Sequence, residues 1–489
     1  MNSYKKLSER SEEVSLITAT SGLLQWDQEI LLPKQGIDFR ADQLAWLGGK
    51  AHRLWTENEV GEWIDGTAEE VDAGSLEAAN VERWKYDYER ARKIPADLVE
   101  KSARAEAKGH ESWKEARSKS DFSLFTESLA DLVEISKQKA ELWGYTEVPY
   151  DALLESYEPG LTAGQLQRLF GPLAGQLAEI CETAYTNTKD IQLPEGEYPV
   201  EQQKAFNAKV VEAVGFDLGR GRIDVSVHPF SSTMGPHDHR ITSRYDAADF
   251  TSSFSAMLHE GGHGMYEQGL LPEAYGTPCG SSVSLGIHES QSRFWENQIG
   301  RSRAFWEYWY PVAIEHFPQL KKMPIEDLVA YVNKVERSFI RVDASEIGYD
   351  LHVILRFEVE EKIFSSELAV EDIPDYWNVR FKELIGLEVK DDAQGCLQDI
   401  HWSMGGFGYF PTYTLGSINA AQIYEALENK IGNVDQRLID GVYSEILTFL
   451  RESIHQHGRR YQPNELMQLA TGSKPNTDAF LKYFRAKVS

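Results

Sequence analysis

The chain has 489 residues, of which 42% are hydrophobic and 11% aromatic, so it can bury a large core. Its 77 acidic residues outnumber 50 Lys and Arg, and the net charge of −27 argues against nucleic acid and anionic membranes as partners. Three widely spaced cysteines, Cys181, Cys279 and Cys396, argue against a disulfide scaffold or a thiolate zinc site. The N-terminal sequence resembles no signal peptide, and no apolar run approaches the roughly 18 residues of a membrane span, so we expect a cytoplasmic protein.

Residues 1–190 predict a succession of amphipathic helices, because apolar residues recur there at three- and four-residue spacing between charges. Trp26 and Asp27 interrupt an apolar stretch in this part, and we interpret them as a structural tie between helices.

A short β region is predicted next. Residues 221–230 and 239–245 alternate and are rich in β-branched side chains, with a turn over 232–238, which predicts a hairpin of two strands. Asp249 is a candidate N-cap for a helix that ends near Gly269. The rest is predicted as a loop over 272–282, helix over 284–310, mainly helix over 325–390 with an extended piece at 339–344, a Gly- and aromatic-rich loop over 405–416, and helix to the end.

The helix predicted over 249–269 carries the pattern H-E-x-x-H. One turn separates His259 from His263, so both imidazoles lie on one face and can bind a single metal ion. Glu260 is expected to act as general base, taking a proton from water and passing it to the leaving amine.

A catalytic zinc site usually has three protein ligands and one position open to water. The candidates for the third ligand are Glu267, His288, Glu289 and Glu296. Glu267 lies a further turn along the same face, whereas the others lie on a second predicted helix that can fold back across the first. His288 and Glu289 point about 100° apart on that helix, so spacing alone does not choose between them.

Gly261, Gly262 and Gly264 lie in the same predicted helix as the histidines. Each costs roughly 0.5–1 kcal/mol relative to alanine in a helix interior. We interpret them as small residues that let another backbone, the predicted hairpin or a bound peptide, approach the metal helix.

The chain resembles the carboxypeptidase Taq family of zinc metallocarboxypeptidases. The resemblance rests on ordered blocks spread from residue 26 to residue 416. These are "WDQE" at 26–29, "HPF" at 228–230, "DHRIT" at 238–242, "HEGGH" at 259–263, "HESQ" at 288–291, "IRVDAS" at 340–345, "GCLQDIHW" at 395–402 and "GYFPTYTLG" at 408–416.

The resemblance implies a mainly α, gluzincin-type fold with a small β-hairpin near the active site and a long groove closed at one end. Residues 1–489 would form one catalytic domain, in which about 1–190 forms one wall of the groove. It implies release of single C-terminal residues from peptides with broad specificity, a homodimer, and one divalent metal ion per chain, Zn²⁺ or, as an alternative, Co²⁺. It also selects Glu289 over His288 as the third ligand. The block at 340–345 departs from the family, because Ser345 replaces its final Asp, and Glu346 is the candidate to compensate.

A carboxypeptidase must bind a free α-carboxylate, and the arginine fork suits that task best. The candidates for the terminal carboxylate are Arg240, Arg341 and Arg356, and we favour Arg341. Arg240 is expected to close the end of the groove, with Asp238 holding it. Arg356 is interpreted as an ion-pair partner of Glu358 or Glu360.

The tetrahedral oxyanion of peptide hydrolysis needs a hydrogen-bond donor. His401 and Tyr413 are the first candidates, with His228 and Tyr409 behind them, and a Gly-rich loop carrying both tyrosines is expected to close over substrate. Asp399 is expected to support a ligand histidine or to orient His401.

Two other functions compete with the carboxypeptidase hypothesis. A zinc endo-oligopeptidase of related helical fold would not need an arginine for a terminal carboxylate. A non-catalytic peptide-binding protein with a structural metal would need no base such as Glu260, and its site would be closed by a fourth ligand.

Overall fold

Helices build most of the molecule, and the mainly α fold that the sequence predicts is confirmed. The computed structural model describes residues 2–187 and 190–488. The helices before the sheet are α1 (Ser3–Ile30), α2 (Ile37–Thr56), α3 (Asn58–Gly66), α4 (Leu76–Arg92), α5 (Ala96–Lys119), α6 (Ser123–Trp143), α7 (Pro149–Leu154), α8 (Ala163–Asn187) and α9 (Val200–Val214). In the described part of the chain, none of the helices combines the length and apolar character that crossing a bilayer requires.

The helices after the sheet carry the motif blocks. They are α10 (Phe250–Gly269), α11 (Leu285–Arg293), α12 (Arg303–His316), α13 (Ile325–Val332), α14 (Glu346–Phe364), α15 (Ile373–Ile385), α16 (Pro411–Ile431), α17 (Val434–Ile439), α18 (Ser444–Ser453), α19 (Pro463–Thr471) and α20 (Asp478–Val488). The Asp249 side chain accepts from the Thr251 backbone N–H at 2.7 Å, so the predicted cap and the predicted end of α10 are both confirmed.

The sheet has three strands, β1 (Gly221–Val225), β2 (Ser231–Gly235) and β3 (Asp238–Ser243), in the order β1-β3-β2. The prediction of a two-strand hairpin with a turn over 232–238 was wrong. Strand β2 overlaps that turn over residues 232–235 and pairs antiparallel with β3, whereas β1 pairs parallel with β3. The Ser, Thr and Gly residues that suggested a turn are held extended by pairing across the strands.

Three further predictions were wrong in detail. The helix predicted over 284–310 is interrupted, because a π-helical segment, Phe294–Ile299, follows α11 before α12 begins. Residues 341–343 form a 3₁₀ turn rather than an extended piece. The loop predicted over 405–416 ends at Phe410, because Pro411 starts α16 as its first residue, a position where a missing N–H has no cost.

Two large hydrophobic cores meet at α16. Helices α6, α8, α14 and α15 contribute to one core, and α9, α10, α12 and α18 contribute to the other. Met257, Leu258 and Met265 of α10 are almost fully buried, and each side chain of this size contributes about 1.5–3 kcal/mol by leaving water. This burial holds the predicted metal helix rigidly between the sheet and α11.

Trp26 and Asp27 do tie α1 to other elements, as the sequence predicts. The Asp27 carboxylate accepts from the Arg40 guanidinium of α2 at 2.6 Å. The Trp26 ring lies under the guanidinium groups of Arg222 and Arg240, at 5.1 and 4.5 Å from its centroid. The N-terminal helix is thereby connected to the sheet beside the active site.

Candidate metal centre and active site

Helix α10 places His259 and His263 one turn apart, and glycine lets α11 reach them. A Cβ atom on Gly262 would lie 2.5 Å from the Gln291 carbonyl oxygen, which real Cβ atoms do not approach so closely. A larger residue would therefore push α11 away and carry Glu289 with it. On the other side of α11, a Cβ on Gly416 of α16 would lie 2.4 Å from Cγ of Glu289.

The other two glycines, Gly261 and Gly264, allow close packing within the protein and not the approach of a bound peptide. A Cβ on Gly261 would lie 2.5 Å from Val211 of α9, and one on Gly264 would lie 2.5 Å from the Phe216 ring. Gly264 also lies near Ile241 of β3, so the interpretation that the sheet approaches α10 holds at this position. Gly261 faces the core and not a bound peptide, so that part of the interpretation was wrong.

Three side chains converge as a potential metal site. Glu289 Oε2 lies 3.6 Å from His259 Nε2 and 3.4 Å from His263 Nε2, and all three ligand atoms lie within 4.8 Å of one another. Two donors bound to tetrahedral zinc at about 2.0–2.1 Å lie roughly 3.4 Å apart. Among the described residues, this is the one group of three or more His, Cys, Asp or Glu side chains with such spacing. The residues present therefore fit a divalent ion.

The other candidates for third ligand lie behind the histidines. Glu296 Oε2 lies 2.8 Å from His259 Nδ1, and the π-helical segment after α11 places it there. His288 Nδ1 lies 2.6 Å from His263 Nδ1, and its other nitrogen lies 2.9 Å from Glu267 Oε1. These contacts leave the Nε2 atoms of both histidines directed toward Glu289.

Arg293 fixes the orientation of Glu289. Its Nε donates to Glu289 Oε1 at 2.7 Å, so the second oxygen, Oε2, is the one that faces the two histidines. Burial opposes ionisation of Glu289, but Arg293, His259 and His263 together outweigh burial and lower the Glu289 pKa well below its usual range. The carboxylate is therefore ionised, and its Oε2, which accepts from Ser292 Oγ at 3.0 Å, has a second lone pair for a cation.

Glu260 lies on α10 beside His259 and is buried, with 7% of its surface exposed. Burial raises the pKa of Glu260 to about 7. A group with a pKa near neutrality can both take and return a proton during turnover.

A second buried cluster gathers arginines around Asp399. The Asp399 carboxylate accepts from Arg341 Nη2 at 2.8 Å and from Arg356 Nε at 2.6 Å. The sequence interpretation was wrong for two of these residues. Asp399 bonds to two arginines and not to a ligand histidine, and Arg356 pairs with Asp399 and not with Glu358 or Glu360. The alternative role of Asp399, orienting His401, stays a prediction. Two guanidinium groups share one carboxylate here, so the cluster has a surplus of positive charge.

The expected partners of Arg356 are occupied elsewhere. Glu358 accepts two hydrogen bonds from Arg380. Glu360 accepts from Tyr150 Oη, from Trp402 Nε1 and from the Gly408 backbone N–H, all at 2.6–2.8 Å. Glu360 thus holds the segment that precedes Tyr409.

Three of the four predicted hydrogen-bond donors to the oxyanion lie close together, namely His401, Tyr409 and Tyr413. His401 Nε2 lies 3.3 Å from the Tyr413 hydroxyl, and the Tyr409 ring lies 5.2 Å from the His401 ring. Burial lowers the pKa of His401 to about 4, so the imidazole is neutral at pH 7. Tyr409 lies in the loop and Tyr413 in the first turn of α16, so a single loop carrying both tyrosines was the wrong description.

Tyr349 and Arg293 connect the two clusters. Arg341 Nη1 donates to the Tyr349 hydroxyl at 2.6 Å, and the Arg293 guanidinium lies 4.4 Å from the centroid of the Tyr349 ring. Sequence reasoning missed both residues. Arg293 had a signal, since it lies four residues after Glu289 and can pair with it along the helix. Tyr349 had none, because its role depends on how α14 packs.

Arg240 and Asp238 form the predicted pair. Two bonds of 2.8 and 2.7 Å join the Arg240 guanidinium to the Asp238 carboxylate. Both residues lie on β3, and Arg240 also lies over Trp26 of α1. His228 is exposed in the segment between β1 and β2, where its carbonyl accepts from Ser226 Oγ. Roles of Arg240 and His228 toward substrate stay predictions.

The block with the substituted aspartate begins α14. Ser345 Oγ donates to the Glu336 carbonyl at 3.4 Å. Glu346 accepts from Tyr483 Oη at 2.8 Å and from Lys487, so it is engaged with α20. It was expected to compensate for the missing carboxylate, but it serves to anchor the C-terminal helix.

Comparison with known proteins assigns the chain to a family. The sequence pattern of the family described as carboxypeptidase Taq (M32) metallopeptidase matches residues 6–488. The chain is 40% identical to thermostable carboxypeptidase 1 of Thermus thermophilus, over 99% of its own length and 98% of the relative's. It is 38% identical to carboxypeptidase 1 of Bacillus subtilis, over 99% and 96%. Its fold matches the crystal structure of the M32 carboxypeptidase from Deinococcus radiodurans R1 with a TM-score of 0.97, at 35% identity and with 99% and 98% of the two chains covered.

Matches of this length and identity confirm the resemblance that the motif blocks indicated, and the chain belongs to the carboxypeptidase Taq (M32) metallopeptidase family.

Proposed function

We propose that this metallocarboxypeptidase releases single C-terminal amino acids from peptides, with broad specificity, in one catalytic domain over residues 1–489. The observation that carries the proposal is the pairing of two buried sites. One, formed by His259, His263 and Glu289, suits a divalent cation, and the other, around Arg341, suits the terminal carboxylate.

We infer that His259, His263 and Glu289 hold one divalent ion, Zn²⁺ or alternatively Co²⁺, since two imidazoles and a carboxylate suit both. When bound, such an ion supplies Lewis-acid chemistry, polarising the scissile carbonyl and making water more acidic. Glu296 and His288 contact Nδ1 of the two imidazoles, so Nε2 of each would be the nitrogen available to hold the ion.

Glu260 is the proposed general base. It is held on α10 directly beside a ligand, and the buried carboxylate can take a proton from water and deliver it to the leaving amine. His401 and Tyr413 are the proposed donors to the oxyanion, because a neutral imidazole and a hydroxyl both offer a proton without adding charge. Tyr409, in the loop that Glu360 holds, is proposed to pack against substrate.

Arg341 is the proposed anchor of the α-carboxylate. Its side chain is buried, and its shared partner Asp399 leaves positive charge that a substrate carboxylate would neutralise. The rings of Tyr413 and Phe410 lie 4.9 and 5.6 Å from its guanidinium group. Phe410 is buried and packs behind the guanidinium group, whereas the partly buried Tyr413 ring offers an uncharged surface that supports broad specificity. Arg240, held by Asp238, and His228 are proposed to contact the peptide near the sheet.

Mass spectrometry of peptide pairs that differ only in a free or amidated C-terminus tests the proposal. Apoprotein reloaded with Zn²⁺ or Co²⁺ should remove one residue at a time from free C-termini and spare the amides. Glu260→Gln should bind metal and cleave neither. Internal cuts that ignore amidation would instead indicate the endo-oligopeptidase, and bound metal without any cleavage would indicate a peptide-binding protein.

We also propose a homodimer. Large apolar side chains on α1, α2 and the segment between them are 40% or more exposed, namely Leu16, Leu23, Leu31, Ile37, Phe39 and Trp46. Exposed apolar groups of this size favour a protein interface. Light scattering after gel filtration should give twice the chain mass, and Phe39→Lys with Trp46→Lys should halve it. A wild-type monomer would contradict the proposal.

The cytoplasm is the proposed location. Cys181, Cys279 and Cys396 are free and buried, which suits a reducing compartment. Cell fractionation tests this, and recovery of the protein outside the cytoplasmic fraction would contradict it.

A further inference from the structure

The two proposed ligand histidines are supported in different ways. His259 Nδ1 lies 2.8 Å from Glu296 Oε2, so a carboxylate contacts it directly. His263 Nδ1 instead lies 2.6 Å from His288 Nδ1, and only the far nitrogen of His288 meets a carboxylate, Glu267 Oε1, at 2.9 Å. His288 therefore lies between the proposed ligand His263 and the carboxylate of Glu267.

His263, His288 and Glu267 form a hydrogen-bonded chain, here called the relay. When His263 binds metal through Nε2, the protons of the relay have only one consistent arrangement. A metal-binding nitrogen carries no proton, so neutral His263 carries its proton on Nδ1 and donates it to Nδ1 of His288. His288 then carries its own proton on Nε2 and donates it to the ionised Glu267. Every donor meets an acceptor, and the tautomers of both histidines are determined.

Packing holds the relay in place. The His288 ring lies 4.6 Å from the His263 ring and 5.1 Å from the Tyr266 ring. Glu267 lies on α10 one turn after His263, while His288 directly precedes Glu289 on α11. Each of the two helices thus supplies a metal ligand and a member of the relay. Glu267 also lines a cavity of about 290 Å³ between α1, the β2–β3 hairpin and the segment 270–282.

We propose that His288, held by Glu267, is a positioning residue that sets the tautomer and ring orientation of His263 for metal binding. The proposal rests on the metal site of the proposed function. Loss of a group that supports a ligand histidine typically weakens metal binding by about 10–100-fold.

The test measures Zn²⁺ affinity by competition with a chelator. His288→Phe keeps the bulk of the ring and removes the acceptor, whereas His288→Asn keeps an acceptor near the position of Nδ1. His316→Phe is the matched control, because His316 of α12 bonds to Gln202 of α9 and to no member of the relay. We expect affinity to fall about 10–100-fold in His288→Phe, to recover largely in His288→Asn, and to stay at the wild-type value in the control.

The visible spectrum of the Co²⁺-loaded proteins gives a second readout at full occupancy. His288→Phe should change band positions or intensities, because the ligand ring turns, and His288→Asn should resemble wild type. Wild-type affinity and spectrum in His288→Phe would overturn the proposal, as would an equal loss in His316→Phe. Should His288→Phe fail to fold, Glu267→Leu takes its place, and wild-type affinity there would also overturn it.

Two further variants, His259→Ala and His263→Ala, distinguish failure of this proposal from failure of the proposed function. If His259→Ala and His263→Ala bind Zn²⁺ as tightly as wild type, the metal centre itself has been misassigned. If those two variants lose Zn²⁺ and His288→Phe does not, only the positioning role is wrong.

Discussion

Two clusters of the molecule are built from different charged groups. The metal cluster, which comprises His259, Glu260, His263, Glu289 and Glu296, gathers three carboxylates around two histidines. The arginine cluster, which comprises Arg341, Arg356 and Asp399 with His401 and Tyr413, gathers two guanidinium groups around one carboxylate. Uncompensated charge in a protein interior is costly. Arg293 pairs with Glu289 and Glu296, so the feature of the metal cluster that favours a cation is the spacing of its three ligand atoms and not surplus charge. The arginine cluster has one guanidinium group more than it has carboxylates. The first suits a metal cation, and the second suits a substrate anion.

The connection between the clusters distinguishes an exopeptidase from an endopeptidase. Arg293 contacts Glu289 and the Tyr349 ring, and Tyr349 contacts Arg341, so two residues span the gap. The α-carboxylate of a peptide lies a fixed, short distance from the last peptide bond. On the proposed assignment, an anion site joined to the metal site through Arg293 and Tyr349 would select that bond. The following predictions test whether one cluster binds metal and the other binds the terminal carboxylate. They run from the largest expected effect to the smallest.

Glu260→Gln should lower kcat by about 10²–10⁴-fold, because the amide cannot accept the proton from water. Metal content should stay at one ion per chain, since Glu260 is not among the proposed ligands. Steady-state kinetics and elemental analysis measure the two effects, with the exposed Glu371→Gln as a matched control. A kcat close to wild type would remove Glu260 from the mechanism.

Arg341→Lys should reduce kcat/KM roughly 30-fold to several thousand-fold, chiefly by raising KM. This factor corresponds to a loss of about 2–5 kcal/mol of binding free energy. The reason is that lysine cannot form the two parallel bonds of the arginine fork. Zn²⁺ affinity should not change. Arg356→Lys is the comparison variant and should lose stability more than affinity for substrate. Equal KM values for both variants would contradict the assignment of the terminal carboxylate to Arg341.

Removal of the metal should destabilise the protein by about 2.7 kcal/mol relative to protein held at a Zn²⁺ concentration 100 times its Kd. Differential scanning calorimetry with and without chelator measures this, and added Zn²⁺ or Co²⁺ should restore the higher Tm. Arg341→Lys should show the same shift as wild type, whereas His263→Ala should show none. A shift that persists in His263→Ala would mean that the metal binds elsewhere.

Gly262→Ala should cost about 1–3 kcal/mol of unfolding free energy, because the new methyl group meets the α11 backbone. Zn²⁺ binding should weaken with it, since Glu289 moves with α11. Gly171→Ala is the matched control in α8, where a Cβ meets no atom within 4 Å among the described residues. That variant should gain up to about 1 kcal/mol. Equal free energies of unfolding for the two variants would show that α11 shifts at little cost, and would contradict the prediction.

The smallest effect concerns Asp350, which lies with Arg293 and Tyr349 around a small internal cavity. Burial raises the pKa of Asp350 to about 7, above its value of about 4 in the unfolded chain. The stability that it contributes is therefore complete below pH 4 and is lost as pH rises through 7. Asp350→Asn mimics the neutral acid, which accepts from Thr414, so its Tm should fall less than that of wild type between pH 5.5 and 8.5. Parallel Tm curves would contradict this.

Much of the fold could be predicted, because helices depend on local spacing. The α10 cap at Asp249 and its end near Gly269 follow from residues within one segment. The errors fell where partners are distant in sequence. Strand β2 looks like a turn until β3 pairs with it, and Asp399 looks like a support for histidine until Arg341 and Arg356 fold against it.

The sequence by itself determined the helical class, the family and the pair His259 and His263, since helical periodicity puts those two imidazoles on one face. Only the tertiary structure decided which oxygen of Glu289 faces them, that Glu296 and His288 stand behind them, and that Arg293 and Tyr349 join the two clusters. The physical reason is that these choices depend on how closely α10, α11, α14 and α16 approach one another. Glycines at 262 and 416 permit that approach, but only the packed helices show what it brings together.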